Sequence, residues 1–141
     1  MAAISTGTDA SPSLQGYHQI GTGLINLDSV TIYPGDACYI TVVNGVWGVK
    51  LAGGATYTLL TQPQARVDGF CAYRAPAGGA ITLYSNVTMG NLLSANTSTP
   101  VVGYLSNVTA GKYLDAAPVA NARPCLISVG TNQCLLTAVK Y

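Results

Sequence analysis

The stretch Cys38-Tyr39-Ile40-Thr41-Val42-Val43-Asn44-Gly45-Val46-Trp47-Gly48-Val49-Lys50-Leu51 decides the fold class. Two runs rich in β-branched and aromatic residues flank Asn44-Gly45. That dipeptide takes the two positive φ angles of a tight hairpin turn at little cost, and the flanking residue types suit a pleated strand. The stretch therefore reads as an antiparallel hairpin, and the rest of the chain repeats its style.

Upstream, 24–33 (LINLDSVTIY) reads as a long strand with Asn26 and Asp28 alternating against apolar neighbours, and Pro34-Gly35-Asp36 turns the chain. Downstream, strands are expected over 56–61, 66–73 (interrupted by Gly69), 80–87, 100–105, 112–114, 125–129 and 133–140, with a loop at 75–79. No window of helical length carries a three-to-four period, and glutamate, a good helix former, is absent. About ten short strands indicate a sandwich, jelly roll or barrel. The expected fold is all-β: an antiparallel, jelly-roll-like β-sandwich over residues 15–141, preceded by an extended N-terminal arm at 1–14. The segment 84–93 echoes 105–114 through Ser-Asn-Val-Thr-x-Gly, which reads either as two similar strand–turn–strand units or as coincidence.

Charge is scarce. Five aspartates (Asp9, Asp28, Asp36, Asp68, Asp115) stand against Lys50, Arg66, Arg74, Lys112, Arg123 and Lys140, a formal net charge of +1. Charged residues are 8% of the chain, where about a quarter is usual. The basic residues are scattered singly, which argues against nucleic acid as a partner. No run approaches the roughly 20 apolar residues of a membrane-spanning helix. The first ten residues lack the features of a signal peptide, so the chain reads as a mature cytosolic product and the three Asn-x-Ser/Thr sequons carry no weight.

The four cysteines permit two disulfides. If Gly130-Thr131 is the turn of a hairpin over 125–134, Cys134 faces Ile127 and is only a diagonal neighbour of Cys125. Such diagonals lie about 7–8 Å apart, beyond usual disulfide reach, so free buried thiols are expected. His18 is the only histidine, which leaves Ser or Cys nucleophiles without a second base to choose from. Asp28, Asp36 and Asp68 form no calcium loop and read as turn residues. No enzyme, metal or cofactor is expected.

Nine tyrosines and one tryptophan against one phenylalanine favour rings that pack on one side and hydrogen-bond on the other. Trp47, Tyr57 and Tyr84 are weighed as a sugar platform, with core or interface duty preferred. The expected contact residues are Ile4, Pro12, Leu14, Tyr17, Trp47, Tyr57, Tyr84, Tyr113 and Tyr141.

In its Ala/Ser/Thr/Gly/Pro arm, its Gly-started strands at Gly35, Gly54 and Gly79 and its closing hairpin at 125–141, the chain resembles the small head-decoration, or cement, proteins of tailed bacteriophages. The resemblance is one of compositional style. It implies a β-rich subunit, commonly a homotrimer, made in the host cytoplasm and placed on the virion surface, where it binds and stabilises the lattice of the major capsid protein. A phage tail or fibre component and a carbohydrate-binding sandwich share the same features.

Overall fold

The structure is a computed structural model that describes residues 3–4, 19–58, 61–84, 88–90, 102–114, 116–122, 124–130 and 133–136; for 3–4, 19–22, 88–90, 125–126, 128–130 and 133–136 it describes the backbone alone. The strands in chain order are β1 (Ala3–Ile4), β2 (Gln19–Asn26), β3 (Ala37–Val43), β4 (Val46–Leu51), β5 (Gly69–Cys71), β6 (Ala80–Tyr84), β7 (Thr88–Gly90), β8 (Val102–Leu105), β9 (Tyr113–Leu114), β10 (Pro124–Gly130) and β11 (Gln133–Leu136). One turn of 3-10 helix, Pro63–Ala65, is the only helical element among the described residues.

The all-β class holds, but the sheets are not those of an antiparallel jelly-roll sandwich. Five strands close into a barrel in the order β2-β4-β3-β5-β6, and the remaining six form a sheet ordered β1-β9-β8-β10-β11-β7. The barrel is mixed, because β2 runs parallel to β4 through Ile25↔Gly48 and Asn26↔Val49. The physical reason lies in the segment expected to extend β2. The Asn26 side-chain amide donates to the carbonyls of Val30 and Ala75, and its oxygen accepts the Asp28 amide. These bonds bend the chain after Asn26, so the following segment crosses over and brings β4, not β3, alongside β2. Asn26 is thus buried as a bracket rather than exposed on an alternating strand.

The hairpin of 38–51 forms in the expected register, Val43↔Val46 through Cys38↔Leu51, with Asn44 at φ 51° and Gly45 at φ 79°. Alternation along its strands assigns two cores. Cys38, Val49, Cys71, Ile81 and Leu83 join Ile32 and Ala75 inside the barrel. Their chain neighbours Ala37, Phe70, Ala72 and Tyr84 point outward and pack with Tyr57, Leu105 and Tyr113 under the second sheet. β3 and β5 are therefore covered on both faces, which is why they read as apolar runs without clean alternation.

A buried joint ties the sheet to the barrel. Lys112 Nζ lies 2.7 Å from Asp36 Oδ1, with the two side chains 13% and 2% exposed. The other Asp36 oxygen accepts the Tyr33 amide, Tyr113 donates its hydroxyl to the Gly35 carbonyl at 2.7 Å, and the Ala37 amide donates to Gly111.

Three local expectations change. At the expected start of a strand at 56, the chain instead turns over Gly54–Tyr57, closed by the Tyr57 amide on the Gly54 carbonyl, and the Thr58 amide then donates to the Gln62 side chain. In the closing hairpin Gly130 pairs with Gln133 and Cys134 faces Ser128 rather than Ile127, with a bulge between Ser128 and Gly130. The two Ser-Asn-Val-Thr-x-Gly segments differ: Ser106 Oγ caps the amides of Val108 and Thr109 in a turn ended by Gly111 at φ 80°, whereas Thr88–Gly90 is a strand. Within the expected arm, Ala3–Ile4 pairs with Leu114 and Tyr113 at the edge of the second sheet.

Candidate functional site

The packing that buries the inner ends of β3 and β4 runs out before the strands do. Along β3, Ala37 and Cys38 are buried, Tyr39 to Thr41 are half-buried, and Val42 and Val43 are exposed. Along β4, Val46 and Trp47 are exposed and Gly48 and Val49 buried. The distal hairpin is thus a two-stranded ribbon that carries four large apolar side chains in water: Val42 (43% exposed), Val43 (38%), Val46 (42%) and Trp47 (66%). The cross-strand pairs Val42↔Trp47 and Val43↔Val46 fall on opposite faces, because successive side chains alternate. The Val42/Trp47 face continues the line of Ile40 and Val49, which pack in the barrel interior.

Its base is firm. Gly48 lets β2 come close, since a methyl there would strike the Ile25 carbonyl and the Leu27 side chain. On the outer edge of β3, Asp68 accepts the Ile40 amide at 2.7 Å and Arg66 donates to the Ile40 carbonyl at 2.5 Å. Arg66 and Asp68 are also paired with each other at 2.8 Å. No formal charge lies between Asp36 and Lys50. The nearest titratable side chain on the ribbon is Tyr39, whose hydroxyl is pushed above its ordinary value by burial and by the Asp28 carboxylate.

The expected contact residues are dispersed. Trp47 is at the tip. Tyr57, Tyr84 and Tyr113 lie in the core of the chain itself, where Tyr113 bonds to Gly35 and the Tyr84 hydroxyl sits 3.1 Å from that of Tyr73. They leave no aromatic row with Trp47. The Ile4 backbone faces Tyr113 at the sheet edge. Pro12, Leu14, Tyr17 and Tyr141 lie outside the described residues, as does His18. Val42, Val43 and Val46 were not singled out from sequence. Their signal was the apolar pattern itself, which continues at both parities up to the turn.

The aspartates serve the backbone. Asp28 accepts the amides of Ser29 and Leu51, Asp36 that of Tyr33, and Asp68 that of Ile40. Cys38 and Cys71 are free and buried in the barrel core. Burial pushes both thiols up, Cys71 to about 12, with the Asp36 carboxylate adding to the rise at each and the Cys71 thiol adding to it at Cys38. Among the described residues no three metal-ligating side chains cluster. No known protein family, curated protein or solved structure matches the chain.

Proposed function

We propose that this chain is a structural subunit that docks on other protein, of the capsid decoration kind, with the β3–β4 tip as its main contact and the major capsid protein as its partner. The observation that carries the reading is the ribbon of four exposed apolar residues on a buried base. Trp47 and the three valines leave on the order of 250 Å² of apolar surface in water, about 6 kcal/mol of gross driving force at 25 cal/mol per Å². Association costs about 4–15 kcal/mol in lost freedom, so one tip binds weakly by itself. Many tips on one lattice bind strongly through avidity. Burying the tip desolvates no formal charge, which keeps the cost of docking low.

The test is co-sedimentation of the purified chain with expanded capsids of the phage that encodes it, wild type beside Trp47→Ala. Wild type should pellet with capsids, and the variant should need at least tenfold more protein. A folded wild-type chain that ignores capsids refutes the proposal; assembly into tubes would point to a tail component, and sugar affinity in a stable monomer to a carbohydrate-binding module.

A further inference from the structure

We infer that Asn44 is a covalent modification site: when the tip's turn opens, the side-chain amide is lost to attack by the chain's own backbone, and the carboxylate left behind weakens docking. The chemistry stands on the turn alone. Its effect on docking rests on the reading of the tip given above.

Of the asparagines in the chain, only Asn44 is followed by glycine. A side chain on the following residue hinders the approach of that residue's backbone nitrogen to the asparagine side chain, and glycine has none. Nothing lies within 4 Å of the place a Cβ on Gly45 would take, and both turn residues are exposed, so water reaches the site. The Gly45 nitrogen attacks Asn44 Cγ. The N–Cγ bond forms, the Cγ–Nδ2 bond breaks, and ammonia leaves with the proton of the Gly45 amide. Water then opens the five-membered imide. Opening at Cγ gives aspartate; opening at the Asn44 backbone carbonyl gives isoaspartate, with the main chain routed through Cγ. The balance is one water in and one ammonia out.

The hairpin gates the first step. Positive φ angles of 51° and 79° are those of a type I′ turn, whose first residue has ψ of about +30°. At that ψ the Gly45 nitrogen stands nearly anti to the Asn44 Cβ across the Cα–C bond, whereas ring closure needs the two nearly eclipsed. The formed turn therefore keeps Asn44 intact, and reaction proceeds from tips whose turn has opened. Opening is favoured at this end of the ribbon, because Val42, Val43, Val46 and Trp47 are exposed and burial begins only at Gly48. Either product matters to a docked surface. The chain carries no formal charge between Asp36 and Lys50, so the new carboxylate is the first on the ribbon and resists desolvation. Isoaspartate also adds a backbone atom between Val43 and Val46, the pair that closes the turn.

The experiment ages the full chain at pH 8, folded and in urea, with peptide mapping by mass spectrometry and isoaspartyl methyltransferase as the probe for isoaspartate. Asn44 should convert before any other asparagine, and at least about tenfold more slowly in the folded chain than in urea. Gly45→Ala should slow the conversion in urea, where strain at the turn plays no part. Asn44→Asp, which keeps a dipeptide suited to the turn, should fold as wild type does and need at least about tenfold more protein to pellet with capsids. Conversion of other asparagines ahead of Asn44 in urea would overturn the site, and equal rates in the two states would overturn the gate. A folded Asn44→Asp chain that pellets as wild type does overturns the effect on docking. A wild-type chain that ignores capsids overturns the capsid reading and that effect together, while conversion at Asn44 still upholds the site.

Discussion

Replacing Lys112 by methionine tests the joint between barrel and sheet. The substitution keeps the length of the stem and removes the ammonium that sits 2.7 Å from Asp36 Oδ1. Asp36 is 2% exposed and cannot turn to solvent, so its carboxylate remains buried with its charge uncompensated by Lys112. Breaking a buried pair from one side costs about 3–5 kcal/mol, a large share of the 5–15 kcal/mol that holds a typical domain. The structure places this case toward the lower end, because the Tyr33 amide still donates to the other carboxylate oxygen. The expected loss is about 3 kcal/mol by urea denaturation at pH 7, with an unchanged m-value and a fall in Tm of roughly 10 °C. Adding Asp36→Asn to Lys112→Met should return about 2 kcal/mol, since the pair is then neutral on both sides. Salt at 0.5 M should leave the loss in place, as screening reaches buried charges poorly. A loss under about 1 kcal/mol for Lys112→Met would mean the pair behaves as a surface bridge, and the account of the joint would be wrong.

Gly48→Ala should cost at least about 2 kcal/mol, because the added methyl meets the Ile25 carbonyl in a packed wall; a variant within 0.5 kcal/mol of wild type in the same denaturation assay would refute this. Trp47→Ala, at an exposed site, should change stability by less than about 0.5 kcal/mol, and a larger loss would show that the ring belongs to the core. Cys38 and Cys71 should resist alkylation in the folded chain at pH 8 and react on unfolding, read by peptide mapping. Their raised folded values also fix a sign. The folded state keeps a proton that the unfolded thiol has lost, so the contribution of Cys71 is full below the ordinary thiol value and is lost as pH rises toward about 12. Relative to Cys71→Ala, wild type should lose about 1.4 kcal/mol per pH unit across that window, and a flat difference would refute the burial argument.

What was legible in the sequence was local chemistry. Asn44-Gly45 specifies its turn through backbone conformations that few other dipeptides adopt, and the hairpin register follows from it. The closure of the barrel was not legible, because a period of two says which side chains share a face and nothing about which edges meet. Asn26 and Asp28 misled for a related reason. A polar residue alternating with apolar ones looks the same whether it faces water or brackets a bend from within, as Asn26 does. The tyrosines misled by their chemistry. Rings with a polar end suit an interface, but a fold with two adjoining cores uses the same property inside, where Tyr113 spans from the sheet to the Gly35 carbonyl.

The tip combines a guarded edge with unguarded faces, and the combination narrows how it can work. Exposed strand edges invite uncontrolled pairing, and chains commonly block them with charge. Here the Arg66–Asp68 pair occupies both the amide and the carbonyl of Ile40, so the β3 edge is closed to strand addition at the base of the ribbon. Among the described residues no comparable charge shields Val42, Val43, Val46 or Trp47, although a single lysine on either face would remove the hazard at little cost to the fold. In the proposed function, contact at the tip runs through side chains packed on the ribbon's faces more than through backbone pairing along its edges. Such contacts are shape-dependent and individually weak. They suit a subunit that gains strength from repetition over one that recognises a single ligand.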